Sequence, residues 1–402
     1  MHDRPLPAPV AALRDAVSRA LDGGPAVVPL PRTSSAPLPD DAALVVRTSG
    51  STGTPREVAL GAGALTASAH ATHARLGGPG RWVLTLPATH VAGAQVVVRS
   101  VLAGTPLTAA DPDARFTPDG LAGLLDPVLR AAGDEPVYLS LVPTQLHRLV
   151  AAADDGAPRG LRTLARCAGV LLGGAATPPR LLDRARDAGV AVVTTYGMSE
   201  TAGGCVYDGV PLRGVRVRLT APDGSGVGVV ELAGPTLALG YVGDPAATAG
   251  AFPRDDDGTR WFRTSDLGAW SDGALRVLGR ADDVVVTGGE NVAPAPVEGL
   301  LGEVLGGEAC VVGVPDPEWG QAVVAVVTHE SATSPRGAGP EGAWEAVTGD
   351  ELRRVRAAVA DRLGPPSAPR RVYRAPALPL RGPGKVDRAG VAALVRQHEA
   401  RG

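Results

Sequence analysis

Leu44-Val45-Val46-Arg47-Thr48-Ser49-Gly50-Ser51-Thr52-Gly53-Thr54-Pro55-Arg56 is the stretch whose reading decides how this chain folds. Leu44–Arg47 reads as a short β-strand, and it runs directly into a hydroxyl- and glycine-rich loop. Gly50 and Gly53 permit a tight turn with backbone N–H groups facing inward. Thr48, Ser49, Ser51 and Thr52 add hydroxyl donors, and Arg56 closes the loop with a cation. That combination suits a polyphosphate. It is not a Walker A loop, because Gly-Lys-Ser/Thr is missing. The competing reading is an ordinary Ser/Thr/Gly turn, and the rest of the chain decides between the two.

Around this loop, short β-rich runs alternate with Ala/Leu/Arg stretches of helical period. Trp82–Leu86, Val137–Leu141, Val170–Leu172 and Val190–Thr194 read as strands, and Leu60–Leu76, Leu121–Ala132, Pro143–Ala153 and Pro178–Ala188 as helices. Such alternation predicts an α/β fold with largely parallel pairing. From Val206 to Leu278 the texture changes to short strands spaced by Gly-Asp turns (Arg213–Thr220, Val227–Leu232, Trp261–Arg263, Ala274–Leu278), a small β-barrel-like subdomain. A further α+β unit follows, with strands at Val284–Val286, Ala309–Val314 and Ala322–Thr328. It has a helix at Asp350–Leu363 capped by Asp350, and a polar, flexible insertion over 330–348. The reading is a large N-terminal domain over 1–279, with its β-rich part at about 206–278, and a smaller mobile C-terminal domain over 280–402.

Composition narrows the function. The chain has 402 residues, 44% of them hydrophobic, which is enough for a packed core and argues against disorder. The formal net charge of −3 suggests neither a nucleic-acid nor a membrane-surface partner. Only 3% of residues are aromatic, too few for base-stacking platforms. Three distant cysteines, Cys167, Cys205 and Cys310, make neither a disulfide framework nor a zinc cluster and read as small buried apolar residues. The first 21 residues are interrupted by Asp3, Arg4, Arg14, Asp15 and Arg19, unlike a signal peptide, and no apolar run is long enough for a membrane span. The expectation is a soluble, globular protein of a reducing compartment, the cytoplasm. Oligomeric state is left open, and a homodimer is compatible with it. One feature stands out: a single lysine, Lys385, among 39 basic residues, and a single asparagine, Asn291.

Four downstream segments bear on the loop. Tyr196-Gly197-Met198-Ser199-Glu200-Thr201 follows a strand at the carboxyl edge of the sheet, where open α/β folds bind ligands. A carboxylate there can hold Mg²⁺ against phosphate oxygens. Asp266, in Trp261–Leu267, is suited to accept hydrogen bonds from ribose hydroxyls. Gly279-Arg280-Ala281-Asp282-Asp283 and Gly288-Gly289-Glu290-Asn291 fall where the domains should meet. Pro379–Arg388 is a Gly/Pro loop presenting Lys385.

These five segments, in this order and spacing, resemble the adenylate-forming superfamily of acyl- and aryl-CoA synthetases, luciferases and peptide-synthetase adenylation domains. The resemblance runs from about residue 44 to 390. Leu86–Gly93, Tyr196–Thr201 running into Gly203–Gly209, and Thr287–Val292 are most similar to the o-succinylbenzoate–CoA ligase branch of menaquinone synthesis. The resemblance implies an AMP-forming acid–CoA ligase that uses ATP, Mg²⁺ and CoA. Residues Thr48, Ser49, Gly50, Ser51, Thr52 and Gly53 would wrap the β- and γ-phosphates beside Arg56, and Glu200 would ligate the metal. Gly173, Gly174, Ala175 and Tyr196 would flank adenine, with Gly197 and Met198 beside them. Ser199 would meet the α-phosphate, and Asp266 with Arg280 would hold the ribose. Asp282 would be the pivot of the C-terminal domain, Gly288, Gly289, Glu290 and Asn291 the hinge loop at the CoA stage, and Lys385 the adenylation lysine. His90 would lie near the reacting carboxylate or the CoA entry, although a lone histidine at a strand end is more often structural.

Three departures accompany the resemblance. Arg56 replaces the family's loop lysine, Ser265 stands where a glycine often precedes the ribose-binding acid, and Val286 replaces a hinge lysine. For a polar acyl-pocket wall the candidates are Ser140, Thr144 and Gln145. Arg216 and Arg218 share one strand face and read as a solvated basic surface. Alternatives are another aryl or acyl acid, or an adenylation enzyme loading a carrier protein. An amino-acid pocket would want an Asp between Val91 and Leu102, and there is none. A non-catalytic relative should have lost Lys385 or Glu200, and both are present.

Overall fold

Val137-Tyr138-Leu139-Ser140-Leu141 is buried at every position, as expected of a strand covered on both faces of a parallel sheet. Tyr138 points into one apolar cluster with Trp82 and Val96, while Val137, Leu139 and Leu141 point into another with Leu125 and Leu149. The structure is a computed structural model. It describes residues 6–48, 56–224, 226–328, 344–381 and 385–400, with the backbone alone at 381 and 385.

The chain enters through α1 (Ala8–Leu21) and an antiparallel hairpin, β1 (Ala42–Thr48) and β2 (Arg56–Gly61), whose register sets Thr48 opposite Arg56. Then come α2 (Ala62–Leu76), β3 (Arg81–Leu84), α3 (Val91–Ala103), β4 (Leu107–Ala109), α4 (Pro118–Ala132) and β5 (Val137–Leu141). They are followed by α5 (Pro143–Asp154), α6 (Arg159–Leu164), β6 (Gly169–Leu172), α7 (Pro179–Asp187), β7 (Val192–Met198), β8 (Gly203–Tyr207) and β9 (Val210–Pro211). These seven strands form one sheet in the order β4-β3-β5-β6-β7-β8-β9, parallel as far as β7 and antiparallel beyond. Local chemistry marks several ends. Thr117 caps α4 by accepting from Gly120 N at 3.1 Å, ahead of Pro118, and Gly77 closes α2 in the left-handed region.

The β-rich part contains β10 (Arg216–Thr220), β11 (Gly228–Ala233), β12 (Gly240–Tyr241), α8 (Pro245–Ala251), β13 (Trp261–Ser271) and β14 (Ala274–Arg280). β10, β11, β13 and β14 make an antiparallel sheet, while β12 leaves to pair with β2, bringing Tyr241 opposite Val58. The smaller C-terminal domain has β15 (Val285–Thr287), β16 (Glu290–Val292), α9 (Pro294–Leu305), β17 (Ala309–Asp316), β18 (Gly320–Thr328) and β19 (Glu345–Ala346). It ends with α10 (Gly349–Leu363), β20 (Arg371–Ala375), β21 (Leu380–Arg381), β22 (Lys385–Val386) and α11 (Arg388–Glu399). α9 and α10 cover one face of its sheet, and α11 covers the other through Val391 and Val395.

Several local expectations are corrected. β7 starts at Val192 and runs to Met198, so the Tyr196 segment is the end of the strand itself, held by pairing with β8. β13 extends to Ser271 because β14 pairs along its length, which places Asp266 within a strand. The N-cap of α10 is Thr348, and Asp350 sits in the first turn, where its charge favours the helix dipole. Of the 330–348 stretch, residues 344–348 are described and packed. Trp344 stacks with Tyr373 and His398, and β19 pairs with β20. Of the pair read as a solvated basic face, Arg216 is exposed and Arg218 is partly covered and paired with acids. Both lie over the Trp261 ring, and Arg218 pairs with Glu231 at 2.8 Å and Asp255 at 3.1 Å. The three cysteines are free and buried, and burial pushes each thiol up to about 12.

Candidate active site

The carboxyl ends of the parallel neighbours β6 and β7 lie side by side. Gly173 follows β6 and approaches β7 so closely that a Cβ would lie 2.2 Å from Thr195 Oγ1. Gly197 is squeezed in the same way, its Cβ position being 2.2 Å from Gly203 O across the β7–β8 pair. After Met198 the chain makes a single 3₁₀ turn, Ser199–Thr201. Thr201 Oγ1 fixes it, accepting from Met198 N at 3.0 Å and lying 2.8 Å from Gly203 O. Ala202 leaves the turn in the left-handed region.

That turn presents Glu200. Its carbonyl accepts from Ala238 N at 2.8 Å, and its carboxylate Oε1 accepts from Tyr241 Oη at 3.0 Å. The Arg56 guanidinium lies over the same Tyr241 ring, 5.1 Å from its centroid. Burial raises the Glu200 pKa above the usual carboxylate range, opposed by the Tyr241 hydrogen bond and by the charges of Arg56 and Arg280. Tyr241 is pushed up too, by burial and then by Glu200.

A second group adjoins the first. Tyr196 Oη donates to Asp266 Oδ2 at 2.7 Å, and burial followed by the Asp266 charge keeps the phenol protonated. Asp266 on β13 pairs in register with Arg280 on β14. Arg280 spends two donors on Asp282, Nε to Oδ1 at 2.8 Å and Nη2 to Oδ2 at 2.7 Å, a bidentate fork. Glu200 feels the charges of both Arg56 and Arg280, so the two groups form one electrostatic unit.

Among the described residues no group of three or more His, Cys, Asp or Glu side chains gathers to hold a metal ion. A lone, half-buried carboxylate fits Mg²⁺ nonetheless, because that ion is commonly held by one or two carboxylates together with substrate phosphates.

His90 is the N-cap of α3 rather than a strand end, with its carbonyl accepting from Ala94 N at 2.9 Å. Gln95, one turn further, donates to Ala202 O at 2.7 Å and ties α3 to the Glu200 turn. Beyond it Arg99 is only 3% exposed. Its guanidinium lies 5.0 Å over Trp82 and 3.4 Å from Tyr207 Oη, and burial lowers its pKa. Among the described residues, Arg99 Nε and Gln95 Oε1 have no hydrogen-bond partner. Gln145 is committed to the start of its own helix and to the residue after β3, accepting from Val142 N at 3.1 Å and donating to Thr85 O at 3.3 Å.

Ser49, Gly50, Ser51, Thr52 and Gly53 are outside the described residues, bracketed by Thr48 and Arg56 at the ends of β1 and β2. Gly288 and Gly289, at φ 58° and 85°, form the two-residue turn of the β15–β16 hairpin with Glu290 and Asn291 exposed beside it. Lys385 belongs to a two-stranded hairpin of the C-terminal domain, its backbone opposite Arg381. Sequence reasoning missed Tyr241 and Arg99. For Arg99 a signal was present, an arginine inside the apolar run Val96-Val97-Val98-Arg99-Ser100-Val101.

No helix among the described residues is long and apolar enough to cross a membrane. The chain is 42% identical to a probable 2-succinylbenzoate–CoA ligase of Mycobacterium tuberculosis, over 98% of this chain and 97% of that protein. It is 33% identical to a feruloyl-CoA synthase of an Amycolatopsis species, over 86% of this chain and 68% of that one. The o-succinylbenzoate CoA synthetase of Bacillus subtilis, solved with its acyl-adenylate intermediate, superposes with a TM-score of 0.68 at 25% identity. The overlap covers 87% of this chain and 69% of that one. The same Bacillus enzyme solved with ATP and a magnesium ion gives 0.69 at 25% identity, over 87% and 69%. Residues 5–242 match the AMP-binding enzyme family and residues 306–385 its C-terminal domain. By these matches, this chain belongs to the AMP-binding enzyme family.

Proposed function

We propose that the protein activates o-succinylbenzoate with ATP and transfers the acyl group to CoA. A carboxylate is a poor acyl donor, because its leaving group would be oxide. In the first step a carboxylate oxygen bonds to the α-phosphorus as the α–β phosphoanhydride breaks, giving acyl-adenylate and pyrophosphate. In the second, the CoA thiolate attacks the acyl carbon and AMP departs with the electrons of the broken C–O bond. Both reactants of the first step are anions, so the protein's work is neutralisation and positioning.

The observation that carries this reading is the single electrostatic unit of Arg56, Tyr241, Glu200, Arg280, Asp266 and Tyr196. On this reading Thr48–Gly53 and Arg56 hold the β- and γ-phosphates, and Ser199 faces the α-phosphate. Gly173, Gly174, Ala175 and Tyr196 flank adenine, with Gly197 and Met198 closing the edge. Asp266 accepts from the ribose hydroxyls, and Arg280 assists with donors not used by Asp282. Glu200 is the residue to hold Mg²⁺, which when bound supplies positive charge to the triphosphate. Residues 280–283 form the hinge between the domains, Gly288–Asn291 serve the CoA stage, and Lys385 comes between the two anions during adenylation. A slim ammonium suits that gap better than a guanidinium. His90, at the head of α3, lies towards the acyl side.

Arg99 supports a substrate with a second carboxylate. A buried guanidinium whose Nε has no partner among the described residues is costly unless an anion joins it. The feruloyl-CoA synthase relative favours a second reading, an aryl acid with one carboxylate. Pyrophosphate release over a panel of o-succinylbenzoate, ferulate, benzoate and a fatty acid separates the two. Release should be brisk with o-succinylbenzoate, and Arg99→Met should raise its KM about tenfold to a hundredfold, the worth of one charged hydrogen bond. Release with ferulate or benzoate but not o-succinylbenzoate overturns the substrate.

A further inference from the structure

The hinge turn carries two adjacent carboxylates, and each is taken by an arginine from a different direction. Asp282 is gripped by Arg280, the last residue of β14. Asp283 is gripped by Arg388, the first residue of α11, with Nε 3.3 Å from Oδ2. The Arg388 guanidinium also donates from Nη1 to Glu298 Oε1 on α9 and to Val311 O on β17, and lies 3.7 Å from Cys310 Sγ. Glu298 in turn accepts from Val311 N at 2.8 Å. One side chain thus gathers the hinge turn, a helix, a strand edge and the start of α11.

Its place in the chain gives this junction a consequence. Arg388 stands three residues after Lys385, and the β21–β22 hairpin that carries Lys385 is closed at its base by Asp387 N donating to Pro379 O at 2.7 Å. The base of the lysine hairpin therefore ends where the Arg388 junction begins. Asp283 lies on the C-terminal side of Asp282, so an Arg388–Asp283 pair moves with the smaller domain, whereas Arg280–Asp282 links the turn to β14 of the larger one.

We infer that Arg388 is a positioning residue that ties the Lys385 hairpin to the hinge turn through Asp283, so that rotation at the hinge carries the lysine as part of one rigid body. A long flexible ammonium on an untethered hairpin would reach the anions only a fraction of the time. The inference deepens the function proposed above and rests on the adenylation role given to Lys385. A pair that served only the domain's stability would affect both half-reactions alike.

Asp283→Asn is the informative variant, because it keeps the size of the side chain and leaves Glu298 and Val311 O on Arg388. Single-turnover adenylation, thioester formation from supplied acyl-adenylate and CoA, and Tm are measured on the full chain. Adenylation should fall about tenfold to a hundredfold, the scale of an ångström-sized misplacement, with thioester formation within about twofold of the parent. In a Lys385→Ala background the same substitution should add no further loss of adenylation, because it acts through the lysine. Arg388→Lys, which keeps the charge but cannot span three acceptors, should show the same split. An equal fall in both half-reactions, or an undiminished extra loss in the Lys385→Ala background, overturns the inference. Selective loss in Lys385→Ala without selective loss in Asp283→Asn overturns it alone. Intact adenylation in Lys385→Ala removes the lysine's role and the inference with it.

Discussion

His73 lies on α2 within the same buried layer as Arg99, and its Nε2 accepts from Trp82 Nε1 at 3.1 Å. Burial first, then the charges of Arg99 and His70, push its pKa from 6.5 down to about 4. The imidazole is therefore neutral in the fold and becomes protonated in the unfolded chain once the pH drops below 6.5. Its contribution is fully present above that pH and is lost as the pH falls towards 4, about 3 kcal/mol in all. Urea unfolding between pH 7 and 4 should show this loss, and His73→Gln should flatten it. An unchanged slope in the variant would show that another group is responsible. At this scale the sequence was partly legible. Glu200 and Asp266 were singled out by the strands read before them, and Arg280 by the resemblance, although Asp266 and Arg280 lie within β13 and β14. Tyr241 and Arg99 were not, because their roles come from partners far away in the chain, Glu200 and Arg56 for one and Trp82 and Tyr207 for the other.

At the scale of elements, β7 does two jobs, pairing in parallel with β6 through Thr194 and antiparallel with β8 from Thr195. The change of partner depends on Gly197, where backbone meets backbone. Gly197→Ala should destabilise the large domain by about 1–3 kcal/mol and displace the Glu200 turn three residues on. Both Tm and pyrophosphate release should fall. Gly63→Ala on α2, where an added Cβ meets nothing within 4 Å, is the matched control and should leave stability unchanged or raise it by up to about 1 kcal/mol. Parental activity and Tm in Gly197→Ala would refute the steric argument. The elements themselves were largely readable, since β5 and α5 follow plainly from apolar runs and a proline start. The ends of β7 and β13 were not, because their length depends on β8 and β14 lying alongside.

At the scale of the molecule, a large N-terminal domain is followed by a smaller C-terminal one that carries Lys385. Lys385→Arg keeps the charge but broadens the head group, so adenylation should fall about a hundredfold while thioester formation from supplied acyl-adenylate survives. Rapid-quench measurement of each half-reaction decides it, and equal loss in both would refute the role. By itself the sequence determined the α/β alternation, the glycine- and hydroxyl-rich stretch between β1 and β2, the order of the five segments and the singular position of Lys385. These are properties written along the chain in spacing, periodicity and residue type. Only the tertiary structure decided that β12 returns to β2 to set Tyr241 between Arg56 and Glu200, that Arg99 is buried with no acid beside it among the described residues, and that Arg388 reaches Asp283. Hydrogen bonding, burial and charge pairing depend on which distant segments meet, and local pattern does not contain that information.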